Sequence, residues 1–74
     1  MFREGDIVRA LQRGKYRMQQ KVVGQVGTVT DVFPNKIQVS FQSVPTAYGP
    51  LVQVGQPVDF ALIEAALEYP EEEG

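Results

Sequence analysis

The chain has 74 residues, a formal net charge of −2 and neither cysteine nor histidine. This composition excludes disulfides and the common catalytic and zinc sites built on those residues, and the slight acidity argues against binding nucleic acid by bulk charge alone. The length predicts one small domain, and without a long apolar run or a signal-peptide h-region we expect a cytoplasmic protein with no membrane span.

A strand followed by a basic loop is predicted in the N-terminal third. The β-rich residues 6–11, entered through Gly5, predict the first strand. Residues 15–21 are mostly polar and follow no clear period, so they predict an excursion loop between strands. Tyr16 and Met18 are the large apolar side chains of this loop and are suited to anchor it.

The second strand is predicted within residues 22–33, which are rich in β-branched side chains. Gly24 and Gly27 weaken a helical interpretation, and Gly27 is expected to mark a bulge or a close approach of the backbone. Residues 34–36 predict a tight turn, because proline fixes φ and asparagine tolerates the left-handed region. A hairpin is therefore expected here.

Alternation of apolar and polar side chains predicts the third strand. Ile37, Val39 and Phe41 are separated by glutamine and serine, so one face is expected to be buried and the other to face water. Residues 43–50 contain two prolines, a glycine and an isolated tyrosine, and they predict a loop.

A short strand and a helical turn are predicted further along. Residues 51–54 predict the strand, which residues 55–57 interrupt. Asp59 is predicted to cap a brief helical or 3₁₀ segment over residues 60–67, where apolar side chains recur at spacings of three and four. Together the elements predict a mainly β domain over residues 1–69.

Charge is distributed unevenly along the chain, with basic residues concentrated in the first third and acidic residues at the end. Residues 70–74, a proline followed by three glutamates and a glycine, predict a disordered acidic tail because like-charged residues have nothing to bury. Such an uneven distribution of charge can steer a partner or pair two copies head to tail. The alternative is that both regions are simply solvated.

Three segments resemble the first three strands of KOW-like and related SH3-like barrels: residues 5–9, the glycine-punctuated residues 24–29, and residues 37–41. Residues 60–68 resemble the closing segment of such proteins. The resemblance implies a five-stranded SH3-like barrel. These barrels include RNA-binding modules of ribosomal and transcription proteins, and small accessory subunits such as the PsaE-type subunit of photosystem I. It therefore implies either nucleic-acid binding or protein docking.

A second likeness is to the type II dihydrofolate reductases, which are tetramers of small SH3-like subunits. Their Val-Gln-Ile-Tyr strand is similar to residues 52–55, although Gly55 replaces the tyrosine and the chain has no tryptophan. This likeness implies a folate- and nicotinamide-dependent enzyme as a minor alternative.

No residue group predicts catalysis, a cofactor or a metal site. Asp6, Asp31 and Asp59 lie at the edges of predicted elements, where turn and capping roles account for them. Residues 24–27 have the glycine spacing of a KH loop but lack its helical flanks. We therefore expect a protein that is not an enzyme.

The predicted binding surface is the basic loop, where cations surround an aromatic ring that could stack on a base or contact an acidic protein surface. The predicted binding residues are Arg13, Lys15, Tyr16, Arg17 and Lys21, with Tyr48 as a second aromatic contact. The favoured function is docking onto a larger protein complex, and binding of RNA or DNA is the alternative. The sequence also leaves homo-oligomer formation open.

Overall fold

Five strands and two 3₁₀ turns form the described part of the protein, a computed structural model that describes residues 2–14 and 17–66. The strands are β1 Ile7–Ala10, β2 Val26–Val32, β3 Ile37–Thr46, β4 Gly49–Gly55 and β5 Phe60–Glu64. The 3₁₀ turns are Gln20–Val22 and Pro57–Asp59. Within the two described ranges, no helix is long and apolar enough to cross a membrane.

The strands form one antiparallel sheet in the order β4-β3-β2-β1-β5. Consecutive strands from β1 to β4 are neighbours, and β5 returns to pair with the free side of β1. The predicted mainly β fold is therefore confirmed. The sheet is not closed, because β4 and β5 are its two edges, so the barrel stays a prediction.

The alternation in β3 produces the buried face that it predicts. Ile37, Val39 and Phe41 are buried, while Gln42 on the same strand is exposed. A single hydrophobic core gathers side chains from the strands and from the loop between β1 and β2. Its buried members are Val8, Ala10, Met18, Val22, Val29, Ile37, Val39, Phe41, Leu51 and Phe60.

Gly27 in β2 faces core side chains of β3 at close range. A Cβ at this position would lie 2.6 Å from Val39 Cγ1 and 2.9 Å from Phe41 Cδ1, inside the normal contact distance. The predicted close approach is confirmed, whereas the register shift of this strand lies further along, between Val29 and Asp31. The small side chain of glycine is what lets the core pack against β2.

Gly27→Ala should lower the free energy of unfolding by about 1–3 kcal/mol, because the added methyl group overpacks a filled core. The control is Val26→Thr at the preceding, partly exposed position, which keeps β-branching and should change stability by about 0.5 kcal/mol or less. Urea denaturation followed by circular dichroism measures both. Equal losses in the two variants would contradict the close packing described for Gly27.

The start of β2 and the backbone conformation of the turn that follows it differ from the prediction. Residues 22 and 23 lie in and after the first 3₁₀ turn, so β2 begins only at Val26. The predicted reversal between β2 and β3 is present, with the Phe33 amide donating to the Lys36 carbonyl at 2.9 Å. Asn35 does not use the left-handed region there; the non-glycine residue with positive φ in the described part of the chain is Gln12.

The predicted loop over residues 43–50 is wrong, because these residues extend β3 and β4 into a long hairpin. Thr46 pairs with Gly49, and Pro45 pairs with Pro50. Proline is tolerated in strands at edges and irregular positions, since no ladder N–H is required there. Pro50 lies on the edge strand β4, and Pro45 follows a register shift that begins after Phe41.

The predicted helical segment over residues 60–67 is also wrong. Its first five residues form β5, and the 3₁₀ turn lies just before it, at Pro57–Asp59. The backbone of β5 makes its hydrogen bonds by pairing with β1, where Ala10 lies opposite Phe60. The apolar spacing does not mark a buried helical face, because Phe60 is buried but Ile63 is half exposed. Leu67 and the predicted tail, residues 70–74, lie outside the described residues.

Candidate functional site

The first anchor of the basic loop is a buried aspartate from the far end of the chain. Asp59 has no exposed surface, and its carboxylate accepts hydrogen bonds from the Gly14 amide and from the Gln56 amide, the latter at 2.9 Å. The Leu11 amide donates to the Asp59 carbonyl at 2.6 Å. A Cβ on Gly14 would lie 2.7 Å from Asp59 Oδ2, so this contact needs glycine.

The second anchor of the loop is Met18, which is 3% exposed and belongs to the core. Its amide donates to Gln12 Oε1 at 3.2 Å. Its terminal methyl group would lie 3.1 Å from a Cβ added at Gly55. The next amide, that of Gln19, donates to Gln53 Oε1 at 3.4 Å. The predicted anchoring role of Met18 is therefore confirmed, and both ends of the loop rest on the β4–β5 region.

The cations of the loop that the structure describes point into solvent. Arg13, Arg17 and Lys21 are all exposed, and Lys21 lies in the 3₁₀ turn that ends the loop. The two remaining predicted members, Lys15 and Tyr16, lie outside the described residues. The described part of the loop thus offers three exposed positive charges close in sequence to two anchored residues, Gly14 and Met18.

Tyr48 lies in a different element from the basic loop, at the turn between β3 and β4. It is fully exposed, with an exposed fraction of 100%. The Thr46 hydroxyl braces this turn, since it accepts from the Tyr48 amide at 3.1 Å and donates to the Gly49 carbonyl at 2.7 Å. The turn therefore presents an aromatic ring on a hydrogen-bonded tip.

The hairpin that carries Tyr48 extends past the rest of the sheet. The β2–β3 ladder runs between Ile37 and Ser40, whereas β3 and β4 continue to pair as far as the turn. We call residues 42–50 the hairpin arm. Its base is fixed by Val44, which packs on the core, and by Ser43, whose hydroxyl donates to Gln25 Oε1, just before β2, at 3.1 Å.

A charge-free sequence runs through the whole hairpin. Residues 37–58 contain no Asp, Glu, Lys or Arg. Edge strands commonly carry charged side chains that discourage pairing with other chains. The absence of charge on β4 and on the hairpin arm is the sequence signal that could have identified this surface before the structure did.

An apolar groove lies at the opposite end of the sheet, beside the turn between β2 and β3. Its volume is about 430 Å³. The residues that line it are all apolar: Phe2, Val32, Phe33, Pro34, Ile37 and Pro57. Lys36 lies next to it, with its Nζ atom 5.4 Å from the centre of the Phe33 ring. The sequence interpretation did not identify this groove, because its residues come from three separate parts of the chain.

The three aspartates have hydrogen-bond partners, and the backbone partners of Asp6 and Asp59 agree with the predicted turn and capping roles, whereas Asp31 contacts a side chain within the sheet. Asp6 is buried and accepts from the amides of Arg3, at 2.8 Å, and Ala66, at 2.7 Å. Asp59 caps a 3₁₀ turn from within it rather than starting a helix. Asp31 is exposed and accepts from the Gln38 amide group at 3.3 Å. Each carboxylate therefore has a role in holding backbone or neighbouring side chains.

Across residues 2–14 and 17–66, no group of three acidic side chains is placed to hold a metal ion. Comparisons with protein-family models, with curated proteins and with solved structures gave no match. The resemblance to KOW-like and PsaE-type barrels therefore stays a prediction.

Proposed function

We propose that the chain is a non-enzymatic interaction module that docks onto a larger protein assembly through its basic loop. The observation that carries this proposal is the exposure of Arg13, Arg17 and Lys21 close to the anchored residues Gly14 and Met18. A binding segment that is already held in place loses less conformational entropy when it meets its partner. Exposed cations at such a site speed the encounter with an acidic surface.

An SH3-like barrel is the architecture proposed for this module. The order of the strands supports it, because a four-strand meander followed by a last strand that returns to β1 can curl until its edges approach. Register shifts in the β1–β5, β2–β3 and β3–β4 ladders also support it. Such irregularities bend strands and increase the local twist that a barrel requires.

Binding of RNA or DNA is the second candidate, and the same exposed cations favour it. The acidic composition of the chain favours a protein partner, because nucleic-acid binding modules usually carry a net positive charge that neutralises several phosphates. The two candidates differ in how binding depends on salt and on nuclease treatment, which provides the test.

The test uses the double variant Arg17→Gln with Lys21→Gln, which removes two exposed positive charges. Capture of partner proteins from a lysate of the native host by the immobilised chain should fall about fivefold, because exposed ion pairs contribute roughly 0.5 kcal/mol each. Quantitative mass spectrometry measures the captured proteins after nuclease treatment. The matched control, Asn35→Asp with Gln42→Glu, changes the net charge equally but lies outside the loop, and it should capture as wild type does.

Two outcomes would contradict the docking proposal. Unchanged capture by the loop variant would place the contact on another surface. Loss of capture after nuclease treatment would favour the nucleic-acid candidate instead. In that case fluorescence anisotropy with generic single-stranded RNA should give an affinity that falls steeply with salt, with a shallower slope for the loop variant.

A further inference from the structure

The outer side of β4 is an open edge of the sheet without a charged residue. β4 pairs with β3 on one side only, and its sequence contains neither acidic nor basic side chains. Within residues 2–14 and 17–66, no backbone hydrogen bond outside the strand ladders involves β4. An edge of this kind is a template for another strand, and its pattern of free donors and acceptors decides which strand fits.

The turn between β2 and β3 fixes which backbone groups of β4 point outward. The Phe33 amide donates to the Lys36 carbonyl across this turn, so the next residue, Ile37, directs its backbone groups to the opposite side of β3. Its partner on that side is Gly55 of β4. Because directions alternate along an antiparallel pair, every second residue of β4 counted from Gly55 faces β3, and the others face away. The outward residues are Pro50, Val52 and Val54.

These outward residues need different partners. Val52 offers both its amide and its carbonyl to the outside. Pro50 offers only a carbonyl, because proline has no N–H; the register shift after Phe41 places its extra residues in β3, so the alternation along β4 continues to this position. Val54 needs a partner only for its amide, because its carbonyl already accepts from Gln53 Nε2 at 3.0 Å.

A second β4 that runs antiparallel across a two-fold axis at Val52 meets these needs. Each Val52 amide would donate to the Val52 carbonyl of the other copy. Two residues away in each direction, Pro50 would lie opposite Val54 of the other copy, and the Val54 amide would donate to the Pro50 carbonyl. The N–H that proline lacks falls opposite the carbonyl that Gln53 already satisfies. Every outward backbone group from residue 50 to residue 54 thus has a partner in this register.

The side chains at this edge favour the same register. Val52 lies opposite Ser40, on the face of the sheet away from the core, and it is 50% exposed. At the axis the two Val52 side chains would lie directly opposite each other, with Pro50 of one copy beside Val54 of the other on either side. Cross-strand pairs of β-branched residues stabilise a sheet, and no charge in this segment loses its hydration.

We propose that β4 pairs with β4 of a second copy, so that two copies form a symmetric dimer with one continuous sheet. The edge selects its own copy because its donors and acceptors complement themselves when the strand is reversed. An unrelated extended peptide presents an amide and a carbonyl at each outward position and leaves the amide opposite Pro50 without a different acceptor. The contact is isologous, so it closes at two copies. It goes beyond the proposed docking function and uses no residue of the basic loop.

The first experiment measures the molecular mass of the chain against its concentration by sedimentation velocity. Wild type should change from monomer to dimer below about 1 mM and form nothing larger. Val52→Lys should raise the dissociation constant about tenfold or more, because like charges lie directly opposite each other at the axis. Leu62→Lys adds the same charge at a similarly exposed position on β5, the other edge, and should dimerise as wild type does. A wild type that stays monomeric, or equal effects of the two substitutions, would overturn the proposal.

The second experiment mixes Val52→Lys with Val52→Glu. Each variant alone should dimerise weakly, and an equimolar mixture should form a 1:1 dimer with a dissociation constant close to that of wild type, because position 52 faces itself across the axis. A mixture that associates no better than its components would overturn the register centred on Val52.

Hydrogen exchange on wild type tests the backbone pairing without any substitution, so it decides the matter even if circular dichroism shows that a variant does not fold. The amides of Val52 and Val54 should exchange more slowly as the concentration rises through the dimerisation midpoint, whereas the Gln53 amide, which faces β3, should not change. Unchanged exchange at Val52 and Val54 while dimers form would place the interface elsewhere. The Arg17→Gln, Lys21→Gln variant should dimerise as wild type does, so failure of one proposal leaves the other intact.

Discussion

Val39→Asp should unfold the domain at 25 °C, whereas Gln42→Asp on the same strand should be tolerated. Val39 has no exposed surface and packs at the centre of the core, so an aspartate there would be an unpaired buried charge that costs several kcal/mol. A chain of this length is expected to have a total stability of only about 4–11 kcal/mol. The substitution therefore removes most or all of it.

The exposed control, Gln42→Asp, avoids a second charge effect. Gln38 also alternates with the buried residues, but its side chain contacts Asp31, so an aspartate at that position would add repulsion between like charges. Gln42 is exposed and lies beyond that contact. Near- and far-ultraviolet circular dichroism in a urea series reports folding of both variants. Similar stability of the Val39 and Gln42 variants would refute the assigned faces of β3.

Asp59→Ala is expected to lower the free energy of unfolding by about 3 kcal/mol. The carboxylate accepts from the backbone amides of Gly14 and Gln56, and the substitution leaves both donors without this partner. An unsatisfied buried donor costs about 1–3 kcal/mol. Asp59→Asn keeps the size of the side chain and one oxygen acceptor, so its loss should be intermediate.

Hydrogen exchange gives this prediction a local measurement as well as a global one. In Asp59→Ala the amide of Gly14 should exchange faster relative to core amides, because the start of the basic loop is released. Asp31→Ala is the control, since Asp31 is exposed and should change stability by about 0.5 kcal/mol or less. Unchanged protection of Gly14 in Asp59→Ala would show that the loop is held by other contacts.

The parts of the fold that could be predicted are those where the signal is local. The alternation from Ile37 to Phe41 predicts a strand and its buried face, because a period of two has no other simple explanation. The turn at residues 34–36 and the close approach at Gly27 also depend on residue types at single positions. Met18 is predicted as an anchor because it is a large apolar residue in a polar segment, and it is buried in the structure.

The wrong predictions both concern segments whose conformation is decided by strand pairing. Residues 43–50 have loop composition, but the pairing of β3 with the edge strand β4 extends the ladder through them. Phe60 and Ile63 have helical spacing, but β1 supplies a free edge along which the segment pairs as a strand, with Phe60 opposite Ala10 and Ile63 at a register shift. Composition cannot show which strand will lie alongside a segment, so both segments were assigned from the weaker local signal.

The candidate surfaces also combine features that the local sequence predicts with features that depend on residues far apart in the chain. Basic residues and an isolated tyrosine are visible in the sequence, and those that the structure describes are exposed. The contact between Gly14 and Asp59 joins positions 45 residues apart, and no local pattern predicts it. The groove likewise combines residue 2, the turn after β2 and Pro57, so it exists only once the sheet has formed.

The position of β1 has a consequence for how the protein forms during synthesis on the ribosome. β1 pairs with β2 on one side and with β5 on the other, where Val8 faces Leu62. At roughly 5–20 residues per second, the first strand is made several seconds before its second neighbour. The meander from β1 to β4 can assemble as it emerges, but the free edge of β1 stays open to chaperones or to other nascent chains until β5 leaves the exit tunnel.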